Sequence, residues 1–338
     1  MDTSPVSFAD IEGWDEDDHA AALRALRLSL AISGETALAA RAASLGEAPL
    51  PEAARRFFEE NFTPRRITPQ PESAIVTGYF EPELRGSLER TPDFSVPVYA
   101  LPSDLTLVTA ENRPQDWPVE HTGARETPAG LVPYFTRREI EEGALAGRGL
   151  ELLYLADPAE CFVMHVQGSG LVRLPDGSGV RLGFSGKNGH PYTSIGKLLV
   201  QRGELEAATA TMDALLGWIG VDAERGRSLM QENASFIFFH VREDGVTGPS
   251  AHGVPLTAGR SLAVDPRYHQ LGSPIWVEAS GLSDEAGRAF RRLMIAQDTG
   301  SAIRGQVRGD IFWGSGEEAG RIAGATKHPC HFIALIPN

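Results

Sequence analysis

The chain has 338 residues, 42% hydrophobic and 22% charged, which is the make-up of a globular protein long enough for two domains. Acidic residues outnumber basic ones by 45 to 31, and the net charge of −14 argues against nucleic acid or an anionic lipid surface as partner. No run approaches the ~20 apolar residues of a transmembrane helix, and the polar start Met1-Asp2-Thr3-Ser4-Pro5 is not a secretory leader. The residues alone therefore fit either a cytoplasmic protein or an exported chain whose signal has been removed.

The first ~60 residues read as helical. Asp15-Glu16-Asp17-Asp18 suits a helix N-terminus, Ala22, Leu23, Leu26 and Leu30 fall at helical spacing, and Gly34 is the expected stop. A short helix is expected from Glu52 to Phe58. After Pro71 the texture turns to strands, at Ala74–Phe80, Val96–Tyr99 and Cys161–Gln167. Leu171–Leu174 and Val180–Phe184 flank Pro175-Asp176-Gly177, a hairpin signal. Helices are expected from about Arg137 to Ala146 and from about Ser194 to Trp218. Strands return at Ser235–Phe239, Ile275–Val277, Leu293–Ala296, Asp310–Trp313 and His331–Leu335. Short strands punctuated by 36 Gly and 23 Pro favour barrels over a doubly wound sheet.

The densest chemical signal is Ala296-Gln297-Asp298-Thr299-Gly300, followed by Gly309-Asp310-Ile311-Phe312. Asp298 ends an apolar strand and Asp310 precedes large apolar residues, so two carboxyls at strand ends can share a site and be raised by desolvation. Asp265 follows Ser261-Leu262-Ala263-Val264 in the same strand-then-Asp arrangement. All three also fit as turn or cap residues, at even odds on physics alone. Asp298-Thr299-Gly300-Ser301 matches an aspartic-protease signature, but the second copy that chemistry requires is missing.

Gln167-Gly168-Ser169-Gly170 and Gly186-Lys187-Asn188-Gly189-His190-Pro191-Tyr192 combine backbone freedom with polar groups suited to sugar hydroxyls and acetamido groups. Tight turns between strands are the commoner outcome for such spacing. Cys161 and Cys330 form no C-x-x-C pair and read as buried free thiols. His328 and His331 flank Cys330, but strand alternation accounts for them, and no metal site or cofactor is expected.

From about residue 70 the chain resembles the membrane-bound lytic murein transglycosylase A family. The carriers are Thr77-Gly78-Tyr79-Phe80-Glu81-Pro82, Tyr154-Leu155-Ala156-Asp157-Pro158, the two glycine clusters, Ser235–Phe239 and the three-aspartate segment. The resemblance implies a mainly β, two-domain molecule. A double-psi β-barrel domain would comprise residues 1–81 and 241–338 with helices at its N-terminal end, and a smaller inserted β-barrel would span 82–240. A groove between them would hold peptidoglycan glycan strands.

The resemblance also makes Asp310 the catalytic acid and base, with Asp298 as its partner. Substrate contacts would come from Thr77, Gly78, Tyr79, Asp265, Gln167, Gly168, Ser169, Gly170, Lys187, Asn188 and Tyr192. Family members often carry His-Phe before the catalytic Asp, where this chain has Arg308-Gly309. The implied reaction is lytic cleavage between N-acetylmuramic acid and N-acetylglucosamine. It would proceed in the periplasm, at the outer membrane in the native precursor, by a monomer whose candidate partners are cell-wall synthesis or division proteins. A glycan hydrolase using the Asp310–Asp298 pair and a non-catalytic wall-binding protein are the competing readings.

Overall fold

The computed structural model describes residues 2–68, 74–242, 250–284, 287–300 and 302–338. The chain divides into two compact units, one made of Met1–Phe80 with Val246–Asn338, the other of Glu81–Gly245.

In the first unit, helix His19–Ser33 starts where the Asp18 carboxylate accepts the Ala21 amide at 2.9 Å. It stops at Gly34, whose φ of 75° is left-handed. Leu23, Leu26 and Leu30 line one face, and with Phe57 and Phe58 of helix Pro51–Asn61 they cover Trp276, Leu293, Ile295, Ile333 and Leu335 of the sheet. Among the described residues the strand order is Thr3–Pro5, Phe62–Ile67, His331–Pro337, Pro274–Ser283, Ala289–Asp298, Ser261–Val264, Arg308–Ser315, Ile75–Glu81 and Lys327–Pro329. The intervening residues Ile275, Val277, Met294, Phe332 and Ala334 join Val76, Leu262, Val264 and Ile311 in a second cluster built from strands and loops alone. Both faces of the sheet are thus buried.

A charged lock ties the N-terminal segment to this unit. Both terminal nitrogens of Arg260 lie 2.8 Å from the Asp17 carboxylate, which also accepts the Leu293 amide at 2.9 Å. The two side chains are only 7% and 3% exposed.

The second unit holds a sheet in the order Ile237–Arg242, Gly179–Lys187, Ser169–Arg173, Glu83–Ser87, Glu151–Leu155 and Val96–Tyr99. A smaller sheet is made of Thr106–Leu107, Gly123–Thr127 and Gly130–Pro133. Pro175-Asp176-Gly177 turns an antiparallel hairpin, with Gly177 at φ 85°. Arg181 pairs with the first residue of the unit, Glu81, at 3.0 Å and stands opposite Arg242 near its end.

Two readings are corrected. Cys161–Gln167, expected as a strand, belongs to the buried helix Pro158–Gln167. Asp157 caps it by accepting the amides of Ala159 and Glu160 at 2.6 and 3.1 Å, Pro158 occupies its first turn, and Gly168 closes it at φ 79°. An unbroken apolar run has no period, so only its flanking caps distinguish helix from strand. The single helix expected from Ser194 to Trp218 is two, Ile195–Gln201 and Met212–Val221. Gly203 at φ 71° ends the first region, and Thr211 caps the second.

Candidate active site

Asp298 is the last residue of Ala289–Asp298, and Asp310 is the third of Arg308–Ser315. These strands are not neighbours. Ser261–Val264 lies between them, parallel to the first and antiparallel to the second, and its Ala263 stands in register with both Asp298 and Asp310. A small side chain between the two leaves room beside each carboxyl.

Strand Ile75–Glu81 touches both acids from one face, as residues two apart must. The Thr77 hydroxyl hydrogen-bonds Asp310 Oδ1, and the Tyr79 hydroxyl donates to Asp298 Oδ2 at 3.0 Å. Gly78 points the other way, where any Cβ would sit 2.7 Å from Trp313 Nε1 and 2.8 Å from the Ala323 backbone. Glycine is needed there for close packing. Tyr79 stacks 5.3 Å from Phe312 in an apolar cluster with Leu256, Ala263 and Ile303.

Burial pushes Asp298 up to about 7, against the opposing effect of amide donors Ala251 and Thr299 and the Tyr79 hydroxyl, with the Asp310 charge adding to the rise. Burial likewise raises Asp310 to about 6, against its Thr77 bond and the nearby Arg308 cation. Tyr79, facing both acids in an apolar setting, is held well above its usual range by burial first. Two carboxyls at one site thus keep protons towards neutrality.

Asp265 is different. Its side chain is fully buried, accepts the amide of Gly305 at 2.9 Å and forms a forked pair with Arg267. The Arg267 hydrogen bonds hold it well below the carboxylate range. It fastens the loop after Asp298 and offers no oxygen to solvent. Gln297, which sequence reasoning assigned no role, is fully buried beside the site. It accepts from Ser261 at 2.6 Å and donates to the Ala25 carbonyl and Ser29 hydroxyl, each at 2.9 Å, pinning the Asp298 strand to helix His19–Ser33.

In the second unit the glycine clusters are largely packing devices. Asn188 is fully buried and donates to the carbonyls of Phe135 and Ala234 at 2.8 Å while accepting the Phe236 amide at 2.9 Å. Ser169 is fully buried, and a Cβ on Gly170 would lie 2.7 Å from Met164 Sδ. Gly168 supplies the left-handed helix end. Gln167 and Lys187 are half-buried, and Tyr192 is 47% exposed. Cys161 and Cys330 are both free and buried. Because Asn188 satisfies three backbone groups, Asn188→Ala should destabilise the protein by about 2–3 kcal/mol in urea unfolding.

Residues 75–240 match the family described as the MltA specific insert domain, and residues 260–336 match the 3D domain. The crystal structure of a membrane-bound lytic murein transglycosylase from Agrobacterium tumefaciens has 36% sequence identity and a TM-score of 0.90, over 100% of this chain and 98% of that one. The chain belongs to the membrane-bound lytic murein transglycosylase A family. A curated member from Vibrio cholerae is 35% identical over 263 residues, which are 76% of this chain and 63% of that protein. This chain therefore matches less than two thirds of the length of that curated member. The structure of Escherichia coli MltA with bound chitohexaose is similar at 26% identity and a TM-score of 0.73, covering 100% of this chain and 92% of that one. In family terms the described site lies outside the specific insert apart from its strand Ile75–Glu81, and it draws its acids from the 3D domain.

Proposed function

We propose that the protein is a lytic transglycosylase of peptidoglycan, acting on the β-1,4 bond between N-acetylmuramic acid and N-acetylglucosamine. The observation that carries this reading is Asp310, a half-buried carboxyl raised to about 6 and oriented by Thr77, in a chain of this family. Protonated Asp310 gives its proton to the glycosidic oxygen as the bond to the muramic C1 breaks. The resulting carboxylate takes the proton of that sugar's 6-hydroxyl, and O6 closes on C1. The products are a 1,6-anhydro sugar and a new 4-hydroxyl end, with no water consumed and Asp310 restored to its acid form. Asp298 supports the cycle electrostatically: raised to about 7, it keeps its proton as Asp310 ionises, so the new Asp310 charge meets no second anion.

The bound chitohexaose of the Escherichia coli protein, a β-1,4 glycan, supports a glycan strand as substrate. Gln167, Lys187 and Tyr192 are the second-unit groups whose exposure suits them to its hydroxyls. The first unit's strand-only cluster supports a sheet curled on itself as a double-psi barrel, with the smaller barrel formed by the second unit. The relatives are named membrane-bound, which supports a membrane-associated setting, and a murein substrate would place the protein in the periplasm. Among the described residues no helix is long and apolar enough to cross a membrane.

Mass spectrometry of muropeptides released from isolated walls tests the reading. Anhydro-sugar ends are expected; reducing ends would instead mean hydrolysis with Asp298 as the base. Because the acid step requires protonated Asp310, kcat/KM should fall as pH rises between about 6 and about 7, the span over which the pair loses its protons. Asp298→Asn removes a carboxyl that still holds its proton where Asp310 titrates, so the limb near 6 should stay within about half a unit and any limb near 7 should disappear. Loss of the limb near 6 with that near 7 retained would contradict the assignment.

A further inference from the structure

The geometry points to Arg308 as a positioning residue that, through the Thr77 hydroxyl, dictates which oxygen of Asp310 carries the catalytic proton. This rests on the lytic reading given above for the reaction, but not for its physical test.

Arg308 occupies a place where the family resemblance leads one to expect His-Phe rather than Arg-Gly before the aspartate. Its Nη2 lies 2.9 Å from Thr77 Oγ1, and Nη1 donates to the Gly309 carbonyl, so the guanidinium plane is fixed at two points. Thr77 Oγ1 in turn meets Asp310 Oδ1. A guanidinium has donors only. The Thr77 oxygen therefore accepts from Arg308 on one lone pair, and its single proton is donated to Oδ1.

The consequence falls on Asp310. With Oδ1 occupied by an incoming proton, a neutral Asp310 carries its own proton on Oδ2, and the carboxyl plane cannot turn without breaking the Thr77 bond. Among the described residues Oδ2 receives no other hydrogen bond. When Asp310 becomes the anion that must accept the 6-hydroxyl proton, the chain Arg308–Thr77–Oδ1 polarises towards the charge and supports it. A neutral residue at 308 would free the hydroxyl to accept from the acid instead, placing the proton on the wrong oxygen. The other charged or titratable groups facing this centre are Asp298 from its own strand, Tyr79 beside Thr77, and Cys330 near Arg308. None of them can set the Thr77 hydroxyl, since none is its hydrogen-bond partner.

The Asp310 titration can be followed directly, without glycan, by carboxyl carbon NMR of ¹³C-aspartate-labelled protein assigned with Asp310→Asn. Arg308→Met and Thr77→Val should each raise that titration by about one unit, because a cation or its relay has been removed. The double variant should rise by clearly less than the sum of the two single shifts, because part of the Arg308 effect reaches Asp310 through Thr77 and part through its own charge. Thr77→Ser, which keeps the hydroxyl, should titrate as wild type. On wall substrate, Thr77→Val and Arg308→Met should lose kcat by about tenfold to a hundredfold with KM little changed, and Thr77→Ser should retain it. The inference is overturned if the single shifts add in the double variant, since Arg308 then acts on Asp310 independently of Thr77, or if Arg308→Met leaves the titration where it was. Should Arg308→Met fail to fold, the near-isosteric Thr77→Val decides alone: an unmoved titration sinks the relay. Reducing-end products in every variant would fault the lytic reading while leaving these titrations to judge the relay.

Discussion

Asp310→Asn should lower turnover on isolated peptidoglycan by about 10⁴-fold or more while leaving the fold intact. Asn has nearly the same size, so packing of Ile311 and Phe312 in their two clusters should persist. It can still accept from Thr77 but can neither give a strong acid proton nor take one from the 6-hydroxyl. General acid and base roles typically contribute about 10²–10⁴-fold each, and here one group holds both. Binding of glycan strands should survive, so the loss should fall on kcat. Asp298→Asn should be milder, because its part is electrostatic. Turnover by Asp310→Asn above about a tenth of wild type, together with a dead Asp298→Asn, would mean that the acid belongs to the other strand.

Asp17→Ala should destabilise the first unit by about 3–5 kcal/mol, although it lies far along the chain from the chemistry. Removing it leaves the buried Arg260 guanidinium without its counter-charge and the Leu293 amide without its acceptor. A uniform loss of that size corresponds to a drop of about 10 °C in the calorimetric midpoint. Asp17→Leu combined with Arg260→Met should recover much of it, because apolar replacements of a buried pair often match its stability. If the double variant is worse than Asp17→Ala, the pair contributes attraction well beyond its desolvation cost. If Asp17→Ala costs under about 1 kcal/mol, the segment is not held by this lock.

What could be read from the sequence followed from local rules. The Gly34 stop, the Asp18 start and the Pro175-Asp176-Gly177 hairpin are decided by a few adjacent residues, and they stand as read. The strand-end positions of Asp298 and the burial that raises both acids were legible from the apolar residues beside them. The run Cys161–Gln167 was not, because apolar continuity is shared by core strands and core helices. Nor could the order of strands reveal that Ala263 separates the two acids, since pairing between distant segments leaves no local mark. Asn188 misled for a related reason. The donors and acceptor that would suit a sugar amide are equally suited to three backbone groups, and burial decides between them. Asp265 reads like its two companions until Arg267 is seen to close around it.

The link between Arg181, Glu81 and Arg242 bears on how such a chain can fold at all. Thr77 and Asp310 stand 233 residues apart, so their contact would ordinarily require closing a very long loop. Arg181 ion-pairs with the residue that opens the second unit and registers against one near its close. Once that unit has folded, its two ends are held together, and the intervening chain counts as a short tether rather than a free coil. Taking the second unit out of that loop shortens it by somewhat under about two doublings and recovers about 1 kcal/mol of closure entropy. Glu81→Gln should accordingly slow assembly of the first unit by more than it weakens the finished protein. On a ribosome the order would be the same: the middle of the chain emerges and sets before the end, and the site of the two acids is completed only when the last strands arrive.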